Sequence, residues 1–119
     1  MADMEERVRL NYLLDFYGPL LTEHRQELMR LYCEEDLSQQ EIADQLSITR
    51  QGVFDSLAKA RRQLADYEEK LGLVKRYRMI TAEAEKCLEA LESVKCTEAD
   101  EPAINKAKQS LENIIRIER

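Results

Sequence analysis

Apolar residues recur at alternating intervals of four and three along the second half of the chain. One series runs from Val53 to Leu71. A second series comprises Leu73, Tyr77, Ile80, Ala84, Cys87, Leu91 and Val94. This spacing places the apolar side chains on one stripe of an α-helix and is typical of helices that pack along a seam. The two series are out of phase, which predicts a kink or a short break at Gly72.

Residues that break helices are scarce, with 3 Gly and 2 Pro in a chain of 119 residues. A sandwich or a barrel needs turn residues about every 8–12 positions, and a doubly wound nucleotide-binding fold needs a glycine-rich loop. The sequence therefore predicts an all-α fold. The length fits one domain of residues 1–119, because domains commonly hold about 100–200 residues. We expect an N-terminal helix in residues 1–21, a helix-turn-helix core in residues 22–71 and a C-terminal antiparallel helical hairpin in residues 73–118.

Capping residues predict where the shorter helices begin. The predicted N-caps, in chain order, are Asp3, Thr22, Ser38 and Thr49. The clearest of these signals is the capping box from Ser38 to Glu41, in which the hydroxyl and the carboxylate each satisfy a backbone amide. Gly18-Pro19 ends the first helix. The last two helices are expected over residues 73–95 and 102–118.

The short helix from Ser38 and the long helix from Thr49, joined by a tight turn, have the layout of a helix-turn-helix. In that motif the first helix braces on the DNA backbone, and the first residues of the second helix enter the major groove. Arg50 and Gln51 occupy those first positions. An arginine can form two hydrogen bonds with a guanine, and a glutamine can do the same with an adenine.

Residues 21–64 resemble region 4 of bacterial sigma factors, with the run Leu-Ser-x-x-Glu-Ile-Ala at residues 37–43. In sigma region 4, arginines or other long polar side chains commonly occupy the positions that match Gly52 and Phe54. At the tip of the recognition helix in this chain, only Arg50 and Gln51 have side chains that can form specific hydrogen bonds with bases.

The match extends further to one family. Residues 48–55, 66–71 and 13–18 resemble the YlxM family, small helix-turn-helix proteins of Gram-positive bacteria that are encoded beside the signal recognition particle protein and its receptor. This resemblance implies an all-helical, dimeric protein with a regulatory or accessory role in the signal recognition particle pathway.

Charge is distributed unevenly along the chain, whose net charge is −6 at pH 7. Residues 22–58 carry 8 acidic and 3 basic side chains, whereas residues 59–78, the basic belt, carry 7 basic and 3 acidic ones. Polyanion contacts are therefore expected in the belt. The candidate nucleic-acid-binding residues are Ser38, Gln39, Thr49, Arg50, Gln51, Phe54, Lys59, Arg61 and Arg62, with a second basic patch of Lys75, Arg76 and Arg78.

Two functions fit these residues. In the first, the motif binds duplex DNA, with the tip of the long helix in the groove and Lys59, Arg61 and Arg62 on phosphates. In the second, the protein does not bind DNA and is a helical adaptor that docks a protein or signal recognition particle RNA through the basic belt. The acidic balance of residues 22–58 favours the adaptor, because DNA affinity depends on neutralised phosphates. The same charges are also compatible with an ordinary solvated helix face.

Several classes of function are not expected. No nucleophile with its base is visible, which predicts a protein that is not an enzyme and has no small-molecule substrate. His24 lacks the companions of a metal site, so no cofactor is expected. The chain has three cysteines, Cys33, Cys87 and Cys96, with no CxxC pair and no signal peptide, which predicts free thiols in the cytoplasm. Cys33 and Cys87 are expected in the core. No apolar run reaches the ~18 residues of a membrane span. The apolar surface of the N-terminal helix and of the hairpin predicts a homodimer.

Overall fold

The computed structural model describes residues 4–117, which form six α-helices, one 3₁₀ turn and no strand. In chain order the elements are α1 (Met4–Tyr17), the 3₁₀ turn (Gly18–Leu20), α2 (Glu23–Cys33), α3 (Gln39–Leu46), α4 (Arg50–Leu71), α5 (Leu73–Glu92) and α6 (Glu101–Ile117). The predicted all-α class is confirmed. The chain divides into two compact units, the first ending at Val74 and the second beginning at Lys75. The single-domain organisation stays a prediction.

Side-chain caps begin α2 and α4, as the sequence predicts. Thr22 Oγ1 accepts a hydrogen bond of 3.3 Å from the backbone N–H of Arg25. Thr49 Oγ1 accepts one of 2.9 Å from the N–H of Gly52. Each bond satisfies an amide that has no partner within the first turn of the helix. The other predicted cap at the N-terminus, Asp3, lies outside the residues that the structure describes.

The first unit encloses a hydrophobic core to which α1, α2, α3 and α4 all contribute, and α4 contacts each of the other three helices. The core side chains are Leu10, Leu13, Leu14, Tyr17, Leu21, Leu28, Met29, Leu31, Ile42, Ala43, Val53, Leu57, Ala60, Leu64 and Val74. Burial of one such leucine contributes about 1.5–3 kcal/mol. Most of the apolar stripe of α1 is therefore covered within its own chain, although Val8 is 40% exposed, and α4 is held along most of its length.

The break between α4 and α5 is fixed by side chains as well as by glycine. Gly72 has a φ of 63°, in the left-handed region, and its N–H donates to the carbonyl of Glu68 at 2.8 Å. Tyr17 Oη donates to Glu68 Oε1 at 2.6 Å and accepts from the N–H of Leu73 at 3.0 Å. Glu68 Oε1 also accepts from the N–H of Val74 at 3.0 Å. This Tyr17–Glu68 junction satisfies the first amides of α5, and the predicted break at Gly72 is confirmed.

The covered stripe of α5 includes the predicted seam residues Tyr77, Ile80, Ala84 and Leu91 and differs from the prediction at the other positions. Its buried and half-buried residues are Val74, Tyr77, Ile80, Thr81, Ala84, Leu88 and Leu91. The predicted seam positions that are exposed instead are Leu71, Leu73, Cys87 and Val94, and their placement by the sequence was wrong. Leu73 and Cys87 are each followed by another apolar residue, so the sequence contains two overlapping stripes one residue apart. Val74 belongs to the core of the first unit, and this selects the later stripe.

Two helices occupy the region of the predicted C-terminal hairpin, and residues 93–100 connect them. The half-buried apolar positions of α6 are Ile104, Ala107, Leu111 and Ile115. They recur at intervals of three and four, and all four are predicted from the sequence to lie on one stripe. The sequence also places Ile114 on this stripe, but Ile114 is 40% exposed. The second unit therefore carries one partly covered stripe on each of its helices.

Candidate nucleic-acid interface

α3 and α4 form the two helices of a helix-turn-helix. α3 ends at Leu46, Ser47 follows in the left-handed region with a φ of 57°, and α4 begins at Arg50. The N–H of Ile48 donates to the carbonyl of Ala43 at 3.0 Å, which closes the turn. Ala43 is buried, and the small side chain lets the two helices approach closely. The turn and the close approach are those that the sequence predicts.

The hydroxyl groups of Ser38 and Thr49, both candidate nucleic-acid contacts, serve as helix caps. Ser38 Oγ accepts from the N–H of Glu41 at 3.1 Å, and the N–H of Ser38 donates to Glu41 Oε1 at 3.0 Å, so the predicted capping box is confirmed. Thr49 Oγ1 caps α4 in the same way. A hydroxyl that accepts a bond also carries one proton to donate. This proton is the part of each group that a phosphate oxygen can bind.

The first turns of α3 and α4 face a common surface pocket of about 350 Å³. Gln39 from α3 lines this tip pocket together with Arg50, Gln51 and Phe54 from α4. The three residues from α4 are exposed, and Arg50 makes no side-chain hydrogen bond or ion pair within residues 4–117. Four of the residues predicted from the sequence are thus brought together at one place. The amide groups of the two glutamines and the guanidinium group of Arg50 are the types that bind base edges.

An acidic side chain lies beside the tip pocket. Gln51 Nε2 donates to Asp55 Oδ1 at 3.0 Å, one helical turn away. On α3, Gln40 Nε2 donates to Asp44 Oδ1, also at 3.0 Å. Both aspartates are exposed. Asp55 therefore opposes a phosphate near the tip, and it also engages one of the two amide protons of Gln51.

The three basic residues predicted as phosphate contacts on α4 lie in different surroundings. Lys59 and Arg62 are exposed. Arg61 is half-buried, with Cζ 5.1 Å from the centroid of the Tyr32 ring, and its Nε is buried without a hydrogen-bond partner among the described residues. This cation–π contact links α4 to α2. Lys59 lies nine residues after Arg50, or ~14 Å along the helix, so it reaches a different part of a nucleic acid from the tip pocket.

The second basic patch lies on α5, in the second unit. Lys75, Arg76 and Arg78 are all exposed there, whereas Tyr77 between them is buried, as its position on the seam predicts. Tyr77 is consequently unavailable for stacking on a base.

Sequence reasoning missed the contacts that fix α4 against α2. Arg25 Nη1 donates to Gln63 Oε1 at 2.9 Å, and Gln63 Nε2 donates to Tyr67 Oη at 3.2 Å. The spacing of Gln63 and Tyr67, one turn apart, was a signal for their own bond. No sequence signal pointed to Arg25, or to Tyr32 beneath Arg61, because both contacts join residues that are far apart in the chain.

The half-buried thiol of Cys33 lies near the Tyr32 ring but forms no reactive site. Burial raises the pKa of Cys33 to about 11, although the positive charges of Arg61 and Arg7 act in the opposite direction. The adjoining cavity, which Cys33 lines with Arg7 and Tyr32, is only about 10 Å³ in volume. The thiol is consequently protonated at neutral pH, and a protonated thiol is a poor nucleophile. Cys87 and Cys96 are exposed, so the predicted core position of Cys87 was wrong.

Residues 4–117 contain no group of three or more His, Cys, Asp or Glu side chains placed to hold a metal ion. Over the same residues, every helix is too short or too polar to traverse a lipid bilayer.

Comparison with known proteins gives the family. The sequence profile of a family described as "Putative helix-turn-helix protein, YlxM / p13 like" matches residues 4–112. The chain belongs to this family. The resemblance inferred from its motifs is therefore confirmed over nearly the whole chain.

Relatives in the family extend over most of the chain. A UPF0122 protein of Desulforamulus reducens is 41% identical over 112 residues, which cover 94% of this chain and 95% of the relative. One from a Thermoanaerobacter species is 42% identical over 91 residues, covering 76% and 78%. One from Geobacillus kaustophilus is 45% identical over 74 residues, covering 62% and 67%. No solved structure matches the chain.

Proposed function

We propose that this YlxM-like protein is a non-catalytic, cytoplasmic protein that binds duplex DNA through the first turn of α4. The observation that carries the proposal is the tip pocket. Arg50, Gln51 and Phe54 are exposed at the start of a helix whose opposite face is buried in the core. A helix held in this way fits the major groove, which is about 12 Å wide, without ordering new structure. A regulatory or accessory role in the signal recognition particle pathway follows from the YlxM resemblance.

Each residue has a distinct role in this proposal. Arg50 donates to a guanine, and Gln39 at the start of α3 contacts the DNA backbone. Lys59 and Arg62, which are both exposed, bind phosphates further along the helix. Residues 38–62 carry four basic and three acidic side chains, so few phosphates are neutralised. We therefore expect weak binding that depends strongly on salt concentration.

Titration of the full-length protein with duplex DNA of random sequence, over about 50–200 mM salt, tests this function. Arg50→Ala should weaken binding about tenfold, because a bidentate guanine contact is worth about 1–3 kcal/mol. Arg9→Ala is the matched control, since it removes the same charge from an exposed position on α1. Lys59→Ala or Arg62→Ala should each reduce the salt dependence of the association constant by about 0.9 in its logarithmic slope. No binding at the lowest salt concentration would overturn the proposal.

A second candidate is the helical adaptor that docks signal recognition particle RNA or a protein through its basic belt. It is supported by the 8 acidic side chains of residues 22–58 and by the exposure of Lys59 and Arg62. Charge reversal discriminates between the two candidates. In the adaptor, Arg62→Glu removes binding to a structured RNA, whereas Arg50→Ala leaves it unchanged. On duplex DNA, loss of binding in Arg50→Ala supports the first candidate, in which Arg62→Glu also weakens binding because Arg62 contacts a phosphate.

We also propose that the protein acts as a homodimer, as the family resemblance implies. The support is the set of apolar side chains left exposed in the second unit, with Met79 at 61% and Val94 at 49%. A two-fold dimer would set two helix-turn-helix motifs in a fixed relation, as a palindromic site requires. Sedimentation should give the mass of two chains, and Met79→Asp should shift it towards one. A monomer at every concentration would contradict the dimer.

A further inference from the structure

Phe54 is the exception on an otherwise polar helix tip. It is 54% exposed, although it is a large aromatic residue one position away from the fully buried Val53. It belongs neither to the core of the first unit nor to the partly buried hydrophobic residues packed against that core. Packing of the first unit therefore does not explain why an aromatic side chain occupies this place.

The neighbours of Phe54 define what it can contact. Arg50 precedes it by four residues, so the two side chains lie on the same face of α4, and both line the tip pocket with Gln39. Gln51 also lies at the pocket, but one of its amide protons is engaged by Asp55 at 3.0 Å. Arg50 and Phe54 present their side-chain ends without such a bond. Direct contact with base edges therefore falls mainly on this pair.

The major groove offers very little that an aromatic ring can bind. Its base edges carry hydrogen-bond donors and acceptors, and the apolar group among them is the C5-methyl of thymine, which phenylalanine contacts in known readout. 5-Methylcytosine presents the same methyl group at the same ring position. Along a helix, four residues rise by ~6 Å, and base pairs are ~3.4 Å apart. A guanine at Arg50 and a methyl group at Phe54 are thus separated by about two base pairs.

We propose that Phe54 determines specificity by contacting the C5-methyl group of a pyrimidine in the major groove, about two base pairs from a guanine that Arg50 binds. This inference rests on the proposed binding of duplex DNA. It adds to that function the chemical group that is recognised and the residue that recognises it. The methyl group belongs to thymine in unmodified DNA.

The test uses 30-base-pair duplexes of random sequence that have been enriched on the wild-type protein and then resynthesised with deoxyuridine in place of thymidine. Wild-type protein should bind the uracil form about fourfold more weakly for each methyl contact. Phe54→Ala should bind both forms equally, with the affinity that wild-type protein has for the uracil form. Phe54→Leu should keep part of the preference, since leucine retains an apolar contact. Leu71→Ala is the matched control, because Leu71 is 56% exposed on the same helix but far from the tip, and its preference should be that of wild type.

The possible results separate the inference from the function on which it rests. If wild-type protein binds none of the duplexes, the proposed function fails as well. If it binds the thymine and uracil forms equally, the methyl contact is overturned, whereas the proposed binding of duplex DNA still stands. A third pool combines uracil with 5-methylcytosine. Continued weak binding to it shows that the contact is specific for the methyl group of thymine. Recovered binding shows that a methylated cytosine can also supply the methyl group, which again supports the contact.

Discussion

Apolar side chains have the same helical spacing in the two units of the chain, but they are buried to very different extents. In the first unit, four helices meet, and the core side chains are at most 7% exposed. In the second unit, of the residues that the structure describes, Tyr77 and Ala84 are the buried hydrophobic ones, and the other stripe positions are half-buried. Heptad spacing thus identifies the covered face of a helix. It does not determine how deeply that face is buried, which depends on how many elements surround it.

Truncation of one leucine in each unit tests this contrast with the largest expected effect. Leu64→Ala removes a fully buried side chain from α4 and should lower the free energy of unfolding by about 2–5 kcal/mol. Leu88→Ala removes a half-buried side chain from α5 and should cost under about 1 kcal/mol. Urea denaturation followed by circular dichroism measures both. Equal losses would show that the second unit contributes as much to stability as the first.

Thiol reactivity compares the units in a second way, since Cys33 lies in the first and Cys87 and Cys96 in the second. Burial raises the pKa of Cys33 from 9.0 to about 11, so at pH 8 about a hundredfold less thiolate is present than in an unshifted thiol. In native protein, a thiol reagent should therefore modify the two exposed cysteines rapidly and Cys33 at least about a hundredfold more slowly. A variant with Cys87→Ser and Cys96→Ser isolates the slow phase. In urea this phase should become fast, and a fast native phase would contradict the burial of Cys33.

The Tyr17–Glu68 junction is the third test, because it ends the first unit in a fixed geometry. Tyr17→Phe removes the donor to Glu68 and the acceptor for the N–H of Leu73, and should cost about 1–3 kcal/mol. Tyr67→Phe is the control, since it removes a hydroxyl that accepts a single 3.2 Å bond, from Gln63. The loss of unfolding free energy in Tyr67→Phe should be smaller than that in Tyr17→Phe.

The same tyrosine also gives the junction a pH dependence. Burial, and next the hydrogen bond to Glu68, raise the pKa of Tyr17 above 10.0, its ordinary value. The folded state therefore retains this proton more strongly than the unfolded state. The resulting stabilisation is complete below pH 10 and is lost as the pH rises further. The difference in unfolding free energy between wild type and Tyr17→Phe should shrink above pH 10, and a constant difference would mean that the hydroxyl is not held as the structure shows.

Local signals in the sequence were sufficient for the framework of the first unit. The capping box at Ser38, the cap at Thr49 and the break at Gly72 depend on residues within a few positions of each other, and all three are confirmed. The helix-turn-helix follows from them. Gln39 and Arg50 line one pocket. This placement was predictable because the helix-turn-helix motif fixes how its two helices meet.

Contacts between residues that are distant in the chain could not be predicted from the sequence. Nothing local indicates that the Arg61 guanidinium lies over Tyr32, so this arginine was placed with the freely exposed charges. Leu73 and Cys87 were placed on the seam of α5, one residue before the covered positions, for a related reason. Two apolar stripes were available in the sequence, and the core contact of Val74, which selects one of them, is a tertiary interaction.

Gly72 provides the smallest and most local test, at the boundary between α4 and α5. Its φ of 63° lies in the left-handed region, and no atom lies within 4 Å of where a β-carbon would be, so an added side chain would meet backbone strain but no clash. Gly72→Ala should therefore cost about 1–2 kcal/mol. Gly72→Asn should cost less, because asparagine tolerates this conformation better than alanine does. If alanine instead raises both the stability and the helical signal, α4 and α5 would form one continuous helix in solution. The Tyr17–Glu68 junction would then be too weak to impose the break.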